Sequence, residues 1–306
     1  MKDILDIISN YNMDICEFFN QYNKRKKDNT LYSKDDYIPQ NLIKLYYLDK
    51  YHFDFKKIIE EFKKKTIYNE NKMENVKNKY EKEGLSLIYD KIENGYFSNI
   101  KHIGILFLIH QTLYSKMPYS NYGGKIRNYN AFISGTEVET TDYTMIATEL
   151  NDLNKEYIEL IAMAKLIRET SSPNLIIDYI NKSLKLKCKI IKIHPFSDGN
   201  GRTSRAMLNN LFKEVNLPPV YITKDEKEEY IKAMNEGVVN HDYSSIYKFY
   251  YYKICDYSAF FSANFCLYSS IVKNPYSARF LVSSLFISST YPSIASDGTS
   301  PSSTTL

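Results

Sequence analysis

Tryptophan is absent from this 306-residue chain, and glycine (10) and proline (9) are scarce. So few breakers argue against a fold of many short strands and leave room for long helices. The four cysteines, Cys16, Cys188, Cys255 and Cys266, show no Cys-x-x-Cys spacing and stand in no His/Cys cluster. A zinc ribbon or disulfide scaffold is thereby excluded, and reduced thiols in a reducing compartment are favoured. An excess of one charge is also missing. The 40 basic and 36 acidic residues give a net charge of +4, mixed along the chain without the basic clustering of a nucleic-acid binder. No apolar run reaches the ~18 residues of a membrane span: Tyr257–Val272 and Phe280–Ser296 are interrupted by Ser, Asn or Pro. The first fourteen residues carry acids inside their apolar stretch, unlike a signal peptide. The expectation is a protein with no nucleic-acid or membrane partner, in the cytoplasm, with secretion as an effector left open.

Hydrophobic residues make up 43% of the chain, enough for a sizeable core. Three zones follow from composition. Residues 1–54 form an N-terminal helical region, and residues 55–256 the main domain with strong helical periodicity. In residues 257–306 only Lys273, Arg279 and Asp297 are charged and Ser and Thr dominate, so this extension is expected to be partly disordered. The fold class expected is all-α, a helical bundle with one small β-hairpin. Helices are predicted over His102–Tyr114, from Tyr143 to about Arg168, and from Ser172-Pro173 (N-cap, then Pro in the first turn) into His194. Two more are predicted over Arg202–Val215 and over Lys224–Glu236, the last closed by Gly237 as C′ residue. After the glycine break Gly123-Gly124, residues 131–138 alternate around Ser134-Gly135 and read as the hairpin. His110 reads as a satisfied core histidine.

The stretch from His194 to Arg205 concentrates the chemistry. A helix ends at Ile193, and a loop follows with His194, Asp198 and Gly199-Asn200-Gly201. A new helix then begins with Arg202 and Arg205 on roughly one face. Gly-Asn-Gly ahead of a helix offers successive backbone N–H groups and the positive end of a helix dipole, an anion nest. The guanidinium groups add bidentate contacts to phosphate oxygens. Asp198 is a hard oxygen ligand suited to Mg²⁺. His194, titrating near neutrality, can take a proton from an attacking hydroxyl. Each feature alone is ordinary; together within twelve residues they describe a site for nucleotidyl transfer.

The stretch resembles the Fic family signature His-Pro-Phe-x-[Asp/Glu]-Gly-Asn-Gly-Arg-x-x-Arg and matches every fixed position. Residues 122–127 with the following segment look like the family's approach to its β-hairpin flap. Residues 217–222 and the helix with Tyr230 look like the lining of its nucleotide-base pocket. The resemblance implies a Fic-type helical bundle and a protein adenylyltransferase. Such an enzyme would move AMP from ATP, with Mg²⁺, onto a Tyr, Thr or Ser hydroxyl of a target protein and onto itself. His194 would be the base and Phe196 the loop's anchor. Asp198 would hold the metal. Gly199, Asn200, Gly201 and Arg202 would bind the α- and β-phosphates, and Arg205 the γ-phosphate. Target strands would pair along the flap at Ala131, Phe132, Ile133, Ser134 and Gly135. Arginine at position 202 argues against the phosphorylating Doc branch, which carries Lys near that point. A homodimer is compatible with the resemblance.

Many Fic proteins carry an inhibitory helix with [Ser/Thr]-x-x-x-Glu-[Gly/Asn]. Five glutamates here precede Gly or Asn, and only Glu70 has Ser or Thr four positions earlier: Thr66, Glu70 and Asn71 fit the pattern. The resemblance thus implies a brake in which Glu70 meets Arg205. Asn69, where relatives place an apolar residue, would loosen it. Other functions stay open: removal of AMP from a modified protein, transfer of UMP or use of another diphosphate donor, and a non-catalytic phosphate-binding interaction module.

Overall fold

The computed structural model describes residues 55–254, apart from 119–122, 134–137, 171 and 218. The expected N-terminal region 1–54 and C-terminal extension 257–306 lie outside the described residues. Among the described residues the chain is helical: α1 (Phe55–Met73), α2 (Lys79–Glu93), a 3₁₀ turn (Tyr96–Asn99), α3 (Ile105–Tyr114), α4 (Ile146–Thr170), α5 (Pro173–Ile193), α6 (Asn200–Glu214) and α7 (Lys227–Val239). Residues 244–254 form a further helix, α8.

The bundle is built around α6. Helices α2, α3, α4 and α5 all pack on it, and Arg202–Phe212 is buried throughout. Its apolar residues Ala206, Met207, Leu208, Leu211 and Phe212 serve the core. Of its polar residues, Asn209 donates to the Tyr89 hydroxyl (2.9 Å) and the Val220 carbonyl (3.1 Å) and accepts from Val220 N–H (2.9 Å). A helix of low mean hydropathy can hold the centre where buried polar groups such as Asn209 find partners, although Thr203 Oγ1 and Asn210 Oδ1 on the same helix are buried with no hydrogen-bond partner among the described residues. Its neighbour α5 buries Ile176, Ile180, Leu184 and Cys188 at helical spacing. Pro173 occupies its first turn and Ser172 its N-cap position, without a side-chain capping bond.

Helix boundaries shift from the predicted ones. The third helix begins at Ile105, because 102–104 form a turn in which the Gly104 N–H donates to the His102 ring (3.0 Å). The fourth spans Ile146–Thr170, and α6 opens two residues early, at Asn200. Gly237 does not end α7, which runs on to Val239. Its role is close approach: a Cβ there would lie 3.1 Å from Cys188 Sγ and 3.2 Å from the Tyr243 ring. Of the expected hairpin, an isolated antiparallel bridge joins Phe132 to Glu139; the intervening 134–137, with Ser134 and Gly135, lies outside the described residues.

Candidate active site

Helix α5 ends at His194 in the left-handed conformation (φ 50°, ψ 59°), a region that non-glycine residues enter at a cost. Arg127 holds it there. This side chain is 2% exposed. It donates to the carbonyls of His194 (2.8 Å), Ile193 (3.2 Å) and Thr141 (2.5 Å), while the Arg127 main-chain N–H donates to the Pro195 carbonyl (2.9 Å). One guanidinium thus satisfies carbonyls that the end of α5 leaves open.

The loop that follows is locked from inside. Phe196 is buried and stacks on His110 with ring centres 3.8 Å apart. Asn200 accepts from the Phe196 N–H (2.9 Å) and donates to its carbonyl (2.6 Å). Its side chain is therefore committed to the loop, leaving its main chain to face a ligand. His110 is a core histidine with a fixed tautomer: Nδ1 accepts from the Gly124 N–H (2.8 Å), so Nε2 donates to the Asp198 carbonyl (2.9 Å). One turn on, the Tyr114 hydroxyl donates to Asp198 Oδ2 (3.0 Å). Gly199, at φ 75°, starts α6 as its N-cap, with no side chain to cap the first turn.

Ten of the sequence-predicted residues line a single cavity of about 460 Å³: Phe132, Ile133, His194, Asp198, Gly199, Asn200, Gly201, Arg202, Arg205 and Tyr230. Ala131 is not among its lining, though its carbonyl accepts from the Thr140 hydroxyl. Thr66 and Glu70 are buried, at 0% and 1% exposure, and are not part of the cavity lining. The Asn71 amide donates to the Ile67 carbonyl (2.9 Å). Tyr230 accepts from Lys187 (2.5 Å) at the cavity's inner end.

Burial lowers the His194 ring from 6.5 to about 4, against the proximity of the Ile191 carbonyl, which favours the protonated ring without making a well-formed hydrogen bond. The ring is therefore neutral at pH 7, and stays so well below the 6.5 at which an ordinary histidine is half-titrated. Since Nδ1 is buried, Nε2 is the nitrogen a ligand can reach. Arg205 Nε contacts both oxygens of Glu70 (2.7 and 2.8 Å), and its Nη2 contacts Glu74 (2.5 Å). Burial would lower the Arg205 guanidinium, but the charges of Glu70 and Glu74 hold it well above its ordinary range. Arg202 bonds Glu81 (2.5 Å) and the Tyr114 hydroxyl (3.2 Å).

Sequence reasoning missed Glu74, Glu81 and Tyr114. Two of these carried a signal: Glu74 follows Glu70, and Tyr114 follows His110, by the four residues that share a helix face.

The match to known proteins follows the same stretch of chain. The model of the Fic/DOC family matches residues 102–212, from the segment preceding α3 to the end region of α6. Over 61 residues it is 43% identical to Protein adenylyltransferase Fic of Drosophila grimshawi, a stretch covering 19% of this chain and 13% of that protein. Over 52 residues it is 48% identical to the protein of the same name from Aedes aegypti, covering 16% and 10%. The chain thus matches only a small part of these relatives' length. A Fic domain containing signaling protein from Bacteroides thetaiotaomicron shares the fold, with a TM-score of 0.56 at 13% identity over 72% of this chain and 94% of that one.

Proposed function

We propose that the cavity binds ATP and that the chain is a protein adenylyltransferase, acting on a hydroxyl of a target protein and on itself. The observation that carries this reading is the convergence on one cavity of a neutral His194, an uncapped helix N-terminus and two arginines. The hydroxyl oxygen attacks the α-phosphorus while the bond from that phosphorus to pyrophosphate breaks. The hydroxyl proton passes to His194 Nε2. The first-turn N–H groups of α6, with Arg202, orient the phosphates, and most of the rate gain comes from such placement.

Asp198 is the residue that would hold Mg²⁺. Its side chain is 61% exposed, and no cluster of three or more ligating side chains exists among the described residues. That fits an ion taking one carboxylate and otherwise phosphate and water oxygens; bound there, it would neutralise phosphate charge. Phe132, 78% exposed at the cavity rim, and the bridge to Glu139 fit a flap along which a target strand pairs.

Glu70 on Arg205 favours a second activity, removal of AMP, in the resting state, since the carboxylate sits on the arginine assigned to the γ-phosphate. The first test is incubation of the protein with α-labelled ATP, with Mg²⁺ or with EDTA. Wild type should label itself in Mg²⁺ alone. His194→Ala should lose about 10²–10⁴ in rate while binding ATP as before. Equal labelling by the variant would remove His194 from the base role.

A further inference from the structure

Two carboxylates meet Arg205, and they stand in different places. Glu70 is sealed beneath the arginine and is not part of the cavity lining. Glu74 has a side chain 32% exposed and lines the cavity. Its position is fixed by the end of α1. Glu74 N–H donates to the Glu70 carbonyl (3.2 Å), Asn75 turns left-handed (φ 50°), and Val76 N–H closes back on the Asn71 carbonyl (2.9 Å). The carboxylate that this turn aims at the cavity has Oε1 2.5 Å from Arg205 Nη2. The same oxygen lies 3.2 Å from where a Cβ on Gly201 would stand. Glu74 therefore covers the first turn of α6, where phosphate oxygens would have to come.

Resting on the nucleotide-binding reading above, we propose that Glu74 is a specificity-determining residue that selects ligands by phosphate number. It weakens the binding of nucleoside triphosphates at the terminal-phosphate position and leaves nucleoside monophosphates and their esters unopposed. Burial favours the neutral acid, but Arg205, Arg202 and Lys227 pull the Glu74 carboxyl below its ordinary range, so it is an anion at neutral pH. A γ-phosphate entering beside it sets like charges against each other in a partly desolvated pocket, which is costly. The negative end of the α1 dipole adds to the repulsion. AMP brings no such group. Because Glu74 holds Nη2 and Glu70 holds Nε, removing either one leaves the other on the arginine.

The experiment is calorimetric titration of the full chain with AMP, ADP and ATP, comparing wild type, Glu74→Gln and Glu70→Gly, with folding checked by thermal unfolding. Glu74→Ser serves if the glutamine variant does not fold. The expected result is a gain of about tenfold in ATP affinity on losing the Glu74 charge, with AMP affinity changed less than about twofold. ADP should fall between them. An unchanged ATP-to-AMP ratio in both Glu74 variants, with AMP still binding, overturns the role of Glu74 and leaves the nucleotide reading intact. No binding of any of the three to any of the proteins overturns both.

Discussion

Both carboxylate oxygens of Glu70 lie within 2.8 Å of Arg205 Nε, where the side chains are 1% and 4% exposed. A charge pair of this kind, 135 residues apart in sequence, is held by geometry: desolvation costs nearly as much as attraction returns. Its consequence is occupancy. In-line transfer depends steeply on where the γ-phosphate is held, and Glu70 sits on the group assigned to hold it. Glu70→Gly should raise self-labelling from ATP by about tenfold or more and reduce any AMP removal. Arg205→Ala should not mimic it, because that change also deletes a phosphate ligand. The gain should come with a lower unfolding temperature, since Arg205 keeps only Glu74 as a counter-charge. Labelling no faster than wild type at equal ATP would remove the brake role from Glu70.

The meeting of Glu70 with Arg205 was legible in the sequence because a short pattern, Thr66 to Asn71, pointed to it. The loop from His194 to Arg205 was legible because its chemistry is local: helix end, nest and helix start follow one another. Long-range partners were not. Arg127 could be seen as part of the approach to the flap, but its bonds to the carbonyls of Ile193 and His194 exist only once the chain has folded back. Helix ends failed where tertiary contact overrode local signal. Gly237 looks like a stop, yet serves the packing of α7 on Cys188. The titration of His194 departs from its sequence reading for the same reason: an ordinary histidine titrates near neutral pH, and burial moves this one to about 4.

That displacement is shared. Burial also lowers His110 from 6.5 to about 4, against the pull of the Asp198 carbonyl. A depressed histidine binds its proton less well folded than unfolded. Above pH 6.5 both rings are neutral in both states, and the fold carries no penalty. Between pH 6.5 and 4 the unfolded chain takes up protons that the folded one refuses, so stability falls as pH falls. Each ring contributes a slope of up to about 1.4 kcal/mol per pH unit in that window. Urea unfolding at pH 7, 6 and 5 should show this decline, and His110→Gln should flatten it. Labelling by wild type should also persist below pH 6.5. Half-loss of activity near 6.5, with the protein still folded, would mean that the His194 ring is not held neutral by burial.

The start of α6 offers the sharpest test of the packing that positions Asp198. Gly199 lies at φ 75°, and a Cβ there would stand 2.9 Å from the Tyr114 hydroxyl, 3.1 Å from Leu113 Cδ2 and 3.1 Å from Tyr114 Cε2. The left-handed backbone alone costs an L-residue roughly 1–2 kcal/mol. Relief by moving Tyr114 is restricted, because its hydroxyl donates to Asp198 and accepts from Arg202, and its ring is buried. Gly199→Ala should therefore destabilise the fold by about 2–4 kcal/mol, seen as a drop in unfolding temperature, and should abolish labelling. Tyr114→Phe in the same chain removes the oxygen nearest the new methyl group. The double variant should regain part of the stability, a coupling that separate sites would not show. It should not regain a normal response to Mg²⁺, because the donor that orients the Asp198 carboxylate is gone. Measuring labelling against Mg²⁺ concentration in the single and double variants separates the two effects. Full recovery of both stability and Mg²⁺ response would show that Tyr114 only fills space; no loss in Gly199→Ala would show that α3 and the loop do not approach each other this closely.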